Sequence, residues 1–92
     1  MRIKSHYVIK EIGNQIVVVP IEKEAMRFNG IISLNQTGKF LFETLQKEDL
    51  SKEELMHKVL ERYEVSKAQV EKDVESFLEK CMEKALIDED NL

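Results

Sequence analysis

The chain has 92 residues, 42% hydrophobic and 35% charged, with a formal charge of −4. A chain of this size buries only about 60–65% of its unfolded surface, so one domain over residues 1–92 with a modest core is expected, and the composition excludes a disordered chain. The longest apolar run, Ile16–Val19, is far shorter than the roughly 20 residues of a bilayer span, and the negative charge speaks against a phosphate-binding surface.

The opening residues Met1-Arg2-Ile3-Lys4 lack the apolar stretch of a secretion signal, so the expected compartment is the cytoplasm. Tyr7–Ile12 is rich in β-branched and aromatic residues, Gly13-Asn14 is a turn signal, and Gln15–Val19 resumes the β-prone pattern. Two such runs around Gly-Asn predict an antiparallel hairpin with a primed turn. Pro20 ends the second strand or lies on its exposed side, because it has no N–H to donate.

After the charged connection Ile21-Glu22-Lys23-Glu24, the segment Ala25–Phe28 leads into Asn29-Gly30, a second hairpin-type signal. Either Ala25–Phe28 pairs with Ile31–Leu34, or it crosses under the sheet with Phe28 as an anchor. In both cases Ile31–Leu34 is expected as the third strand.

From Asn35 the apolar spacing becomes helical. Asn35 is a good N-cap for a helix over about Gln36–Gln46, with Phe40, Leu41 and Leu45 or Thr44 inward. Gly38 in its first turn costs about 0.5–1 kcal/mol against Ala, which points to close packing there. Ser51-Lys52-Glu53-Glu54 has the capping-box pattern, so a second helix starts at Lys52, with Leu55, Met56, Val59, Leu60 and Tyr63 as its stripe, and stops near Glu64. Ser66-Lys67-Ala68-Gln69 repeats the pattern, and a third helix runs to about Lys84 with Val70, Val74, Phe77, Leu78, Cys81 and Ala85 at helical spacing. Leu86-Ile87 either adds a short last strand or folds back on the core.

The predicted fold class is therefore α+β: a three-stranded antiparallel sheet followed by a three-helix bundle, similar to a winged helix-turn-helix. No catalytic constellation stands out. Gly13, Gly30 and Gly38 make no nucleotide fingerprint, His6 and His57 lie apart without a Cys/His cluster, and Cys81 among Phe77, Leu78 and Met82 is expected as a buried small residue. No cofactor and no metal site are expected, and the protein is expected not to be an enzyme.

For the helix-turn-helix arrangement the obvious function is DNA reading. Against it, the third helix sets Glu71, Asp73, Glu75, Glu79 and Glu83 beside Lys67, Lys72, Lys80 and Lys84, and Arg is limited to Arg2, Arg27 and Arg62. A peptide-binding module remains. An edge strand at Ile31–Leu34 can accept an extended peptide as a further strand. Several backbone bonds of about 0.5–1.5 kcal/mol each, with a few buried side chains, reach the roughly −8 kcal/mol of micromolar affinity. The alternative is that Ile31, Ile32 and Leu34 only fill the core. A structural or dimerisation subunit is the third reading, since such an edge can also pair with a second copy.

Leu34-Asn35-Gln36-Thr37, followed by Phe40-Leu41-Phe42 and Leu45, resembles the Leu-Asn-x-Thr signature of the PqqD-like family. Ser51–Leu55, Tyr63, and Val70 through Ile87, including Asp73-Val74 and Phe77-Leu78, also follow that pattern from about Gln15 onward. Phe42 stands where Trp is common, and the long Ile21–Gly30 segment would decide whether the Ile31–Leu34 edge is open or covered.

The resemblance implies a RiPP recognition element, a module that binds the leader of a ribosomally made precursor peptide by strand addition. It would present the precursor to a separately encoded modifying enzyme, often a radical SAM protein. Carried over, Ile31, Ile32, Ser33 and Leu34 would supply the strand edge, and Val70, Asp73, Val74 and Phe77 would line the groove from the helix.

Overall fold

Gly13 takes a φ of +61° with open space where a Cβ would stand, so it is the backbone of the turn, and not packing, that calls for glycine there. The turn joins β2 (Tyr7–Ile12) to β3 (Gln15–Pro20), whose register runs from Ile12↔Gln15 to Tyr7↔Pro20. Pro20 is the last residue of its strand, where its missing N–H costs least.

A computed structural model describes residues 1–21, 32–84 and 86–88. The expectations for Ile31 and for pairing or crossing by Ala25–Phe28 lie outside the described residues, as does Ala85. Within them, β4 (Ile32–Leu34) pairs antiparallel with β3 in the register Ile16↔Leu34, Val17↔Ser33 and Val18↔Ile32. The sheet order is β2-β3-β4. Because opposite residues share a face, Tyr7, Ile9, Ile16, Val18, Ile32 and Leu34 point one way. Tyr7, Val18 and Ile32 enter the core, with Ile9 and Leu34 packed against it.

Three helices cover that face. The first, α1 (Gln36–Lys47), starts at Asn35, whose Oδ1 accepts from the Gly38 N–H at 2.7 Å. Its buried face is Gly38, Leu41, Phe42 and Leu45. Because spacing by three and four puts 38, 41, 42 and 45 on the fully buried face, Phe40, expected inward, is partly buried and packs against the core from the flank. There its ring meets Tyr63 edge-on at 5.8 Å and carries the Arg62 guanidinium 5.0 Å above it.

The second helix, α2 (Lys52–Arg62), has both halves of the capping box between Ser51 and Glu54, and buries Leu55, Met56 and Val59. It ends slightly before the expected Glu64, with Tyr63 already extended. In α3 (Lys67–Glu83), Ser66 Oγ accepts from the Gln69 N–H at 3.1 Å. The Gln69 side chain does not complete a box; its amide donates to Asp73 Oδ1 at 2.8 Å. Val70, Val74, Phe77, Leu78 and Cys81 form the buried stripe of α3.

The chain ends are tied together by a pair of short strands. With β1 (Arg2–Ile3) and β5 (Ile87–Asp88) antiparallel, Arg2 faces Asp88 and Ile3 faces Ile87. Leu86 is fully buried, so the last segment both adds a strand and fills the core. The Met1 amine donates to Asp49 Oδ1 at 2.7 Å and to the Leu50 carbonyl at 2.8 Å, fastening β1 to the α1–α2 connection. The Gln46 amide donates to the Tyr7 carbonyl at 2.8 Å, which fixes α1 over the start of β2.

Candidate functional site

A strand with a neighbour on one side only leaves half its backbone groups without sheet partners. Among the described residues β4 is such a strand, paired with β3 and with nothing beyond it in the sheet. Its position is set by the joint into α1: one residue, Asn35, separates Leu34 from the helix. The first turn of α1 is pressed onto that joint. A Cβ on Gly38 would stand 3.2 Å from Asn35 Oδ1, 3.2 Å from Leu34 Cβ and 3.3 Å from Leu34 Cδ2. Glycine suits this close approach, since a Cβ there would press on Asn35 and Leu34, and the turn presents bare backbone.

Across from this joint runs α3, and a cleft opens between them. One wall is Leu34, Asn35 and Gly38; the other is Asp73, Ser76, Phe77 and Lys80. Its volume is about 60 Å³, room for a few waters or one apolar side chain against the need of roughly 10–15 Å³ per water. The cleft continues along β4 past Ile32 and Ser33 on one side and Lys80, Glu83 and Lys84 on the other. The floor is apolar at Leu34 and Phe77, an acid stands at the Asp73 end, and basic groups stand at the Lys80 end.

The expected strand residues divide by face. Ile32 is turned into the core and Ser33 is exposed on the opposite face, while half-buried Leu34 borders the cleft. From α3, Asp73 and Phe77 line the cleft. Val70 and Val74 are completely enclosed in the core and present no surface to it. Sequence reasoning missed Asn35, Gly38, Ser76, Lys80, Glu83 and Lys84. A signal existed for Ser76, Lys80 and Lys84, which continue Asp73 and Phe77 at helical spacing beside the buried stripe.

The groups that titrate away from their ordinary values lie elsewhere. Burial pushes the Cys81 thiol up to about 12, so it is an inert core residue. The Ser51 backbone N–H, and then its side chain, hold the Glu54 carboxyl below its ordinary value at the surface of α2. A larger hollow of about 510 Å³ lies against α2, but its walls are mostly charged side chains such as Glu48, Glu53, Glu61 and Lys58. Lys58 pairs with Glu48 there at 3.6 Å, both of them well exposed, so this is a solvated face. Among the described residues no helix is long and apolar enough to cross a membrane.

The fold matches the structure described as TbiB1 in complex with the TbiA(beta) leader peptide, with a TM-score of 0.68 and 21% identity over 97% of this chain and 96% of that one. It also matches a lasso peptide synthetase B1 complexed with the leader peptide, with a TM-score of 0.62 and 16% identity over 89% of each chain. A search of curated proteins finds no match. Residues 15–87 match the family model of coenzyme PQQ synthesis protein D. That span holds both walls of the cleft, and the chain belongs to the PqqD family.

Proposed function

We propose that this chain is a non-catalytic peptide-binding module. It takes the leader segment of a ribosomally synthesised precursor as a further strand on the edge of β4, seated against α3. It then presents the precursor to a separately encoded modifying enzyme in the cytoplasm. The observation that carries the reading is the pairing of an edge strand with an apolar cleft, in which Leu34 and Phe77 line the space beside that edge. Backbone bonds along β4 would supply general affinity, and the cleft would supply side-chain selection.

Support comes also from the two similar structures, both of them leader-peptide complexes. The resemblance to the PqqD-like family makes a radical SAM protein the expected type of partner enzyme. The DNA-binding alternative would set exposed Glu71, Glu75 and Glu79 of α3 against phosphates, an arrangement that counterion release cannot favour. Calorimetric titration with the leader encoded by a neighbouring short reading frame tests the proposal. Micromolar binding with little salt dependence is expected; no binding to that leader, together with retardation of duplex DNA, would contradict it.

A further inference from the structure

Asp73 and Lys80 stand at opposite ends of the same cleft, and Phe77 stands between them. Seven residues of helix put about 10 Å between the two charged positions. On an extended peptide, alternate residues face the same way and lie about 6.6 Å apart, so positions two before and two after a central residue span about 13 Å. Long side chains close that difference. A peptide strand in the cleft thus brings one side chain to the apolar floor and its two same-face neighbours to the charged ends.

Neither charge is neutralised within the described chain. The Asp73 carboxylate accepts only the neutral Gln69 amide, at 2.8 Å. The Lys80 ammonium has no ion pair or side-chain hydrogen bond among the described residues. Glu83 and Lys84 also border the Lys80 end. β4 runs from the Lys80 end, at Ile32, to the Asp73 end, at Leu34. An antiparallel addition, the mode of every pairing in this sheet and the more stable one per residue, runs the other way and meets Asp73 first.

We propose that the cleft selects peptides by charge order: a cationic residue, an apolar residue two positions on, and an anionic residue two positions further, read from N- to C-terminus. This rests on the peptide-binding reading above and adds to it the chemistry of the segment bound. Asp73 and Lys80 are then the specificity-determining residues, and the Leu34–Phe77 floor is the apolar subsite.

The test uses short, end-blocked peptides of Ser and Thr with Lys-Thr-Leu-Thr-Glu, Glu-Thr-Leu-Thr-Lys or Gln-Thr-Leu-Thr-Gln at the centre, titrated into the full chain and followed by amide shifts. The Lys-first peptide is expected to bind about fivefold more tightly than the Glu-first one, as two exposed charge pairs provide. The uncharged peptide should lie between them, and the order should reverse in the doubly swapped variant Asp73→Lys, Lys80→Glu. Shifts in the cleft with equal affinities, or with the Glu-first peptide preferred, would overturn the charge-order proposal while leaving peptide binding intact. No cleft shifts with any of the three, nor with the natural leader, would overturn both. Retained amide dispersion shows that the variant is folded, and the wild-type comparison stands without it.

Discussion

Asn35 and Gly38 are locked to one another at the start of α1: the Asn35 Oδ1 accepts the Gly38 N–H at 2.7 Å, and that oxygen lies 3.2 Å from where a Cβ on Gly38 would stand. One side chain thus caps the helix, and one missing side chain lets it do so. Gly38→Ala gains up to about 1 kcal/mol of helix propensity and loses a similar amount by pushing Asn35 and Leu34 aside. Its thermal midpoint is therefore expected to change little, while affinity for the leader falls several-fold because the cleft wall has thickened. A variant that binds as well as wild type would show that Gly38 does not shape the site.

Phe40 and Phe42, two positions apart, are buried to different depths. Phe42 is wholly enclosed, so Phe42→Ala should cost about 3–5 kcal/mol, a large share of the roughly 5–15 kcal/mol that holds a domain. Phe40 is half-buried and packs against the edge of the core, with the Tyr63 edge contact and the Arg62 cation beside it, each worth about 0.5–1.5 kcal/mol, so Phe40→Ala should cost less. Urea unfolding of the two alanine variants checks this, and equal losses would contradict the assigned facing of α1.

Acid should weaken the cap at the start of α2. The Ser51 N–H donates to Glu54 Oε1 at 2.9 Å, which keeps the carboxyl below its ordinary value of 4.5. A depressed carboxyl stabilises the fold above its ordinary value and loses that contribution as pH falls through its folded value. The Ser51 amide shift should therefore titrate below pH 4.5 in the wild type and stay flat in Glu54→Gln. A midpoint above the ordinary glutamate value would reverse the sign.

Cys81 should report global opening. Its thiol is fully enclosed and pushed from 9.0 up to about 12, which leaves about a thousandfold less thiolate than an open cysteine at mildly alkaline pH. Iodoacetamide should leave the native protein unlabelled and react as urea populates the unfolded chain. Rapid labelling without denaturant would contradict the buried placement.

The local signals were legible in the sequence. Tyr7–Ile12, Gly13-Asn14 and the caps at Asn35, Ser51 and Ser66 depend on residues within a few positions of one another, and the structure follows them. Pairing of β1 with β5 was not legible, because two-residue strands carry no periodicity and their contact spans nearly the whole chain. The cleft was half legible. Helical spacing marks two adjacent stripes on α3, and only tertiary packing decides which is covered. Val70 and Val74 are enclosed in the core, while Asp73, Ser76 and Lys80 are left at the cleft. Phe40 reaches the core only from its flank for a related reason: aromatic residues two apart on one helix cannot both face the centre, and Phe42 shares its face with Leu41 and Leu45.

Strand addition at β4 is the central claim, and isotope-filtered NMR on the labelled full chain with unlabelled leader tests it most directly. Cross-strand contacts between the peptide backbone and residues 32–34 are expected, with slowed exchange of amides in β4 and side-chain contacts to Phe77. A leader that binds with its contacts on α2, or that leaves the β4 amides exchanging as they do in the free protein, would contradict it.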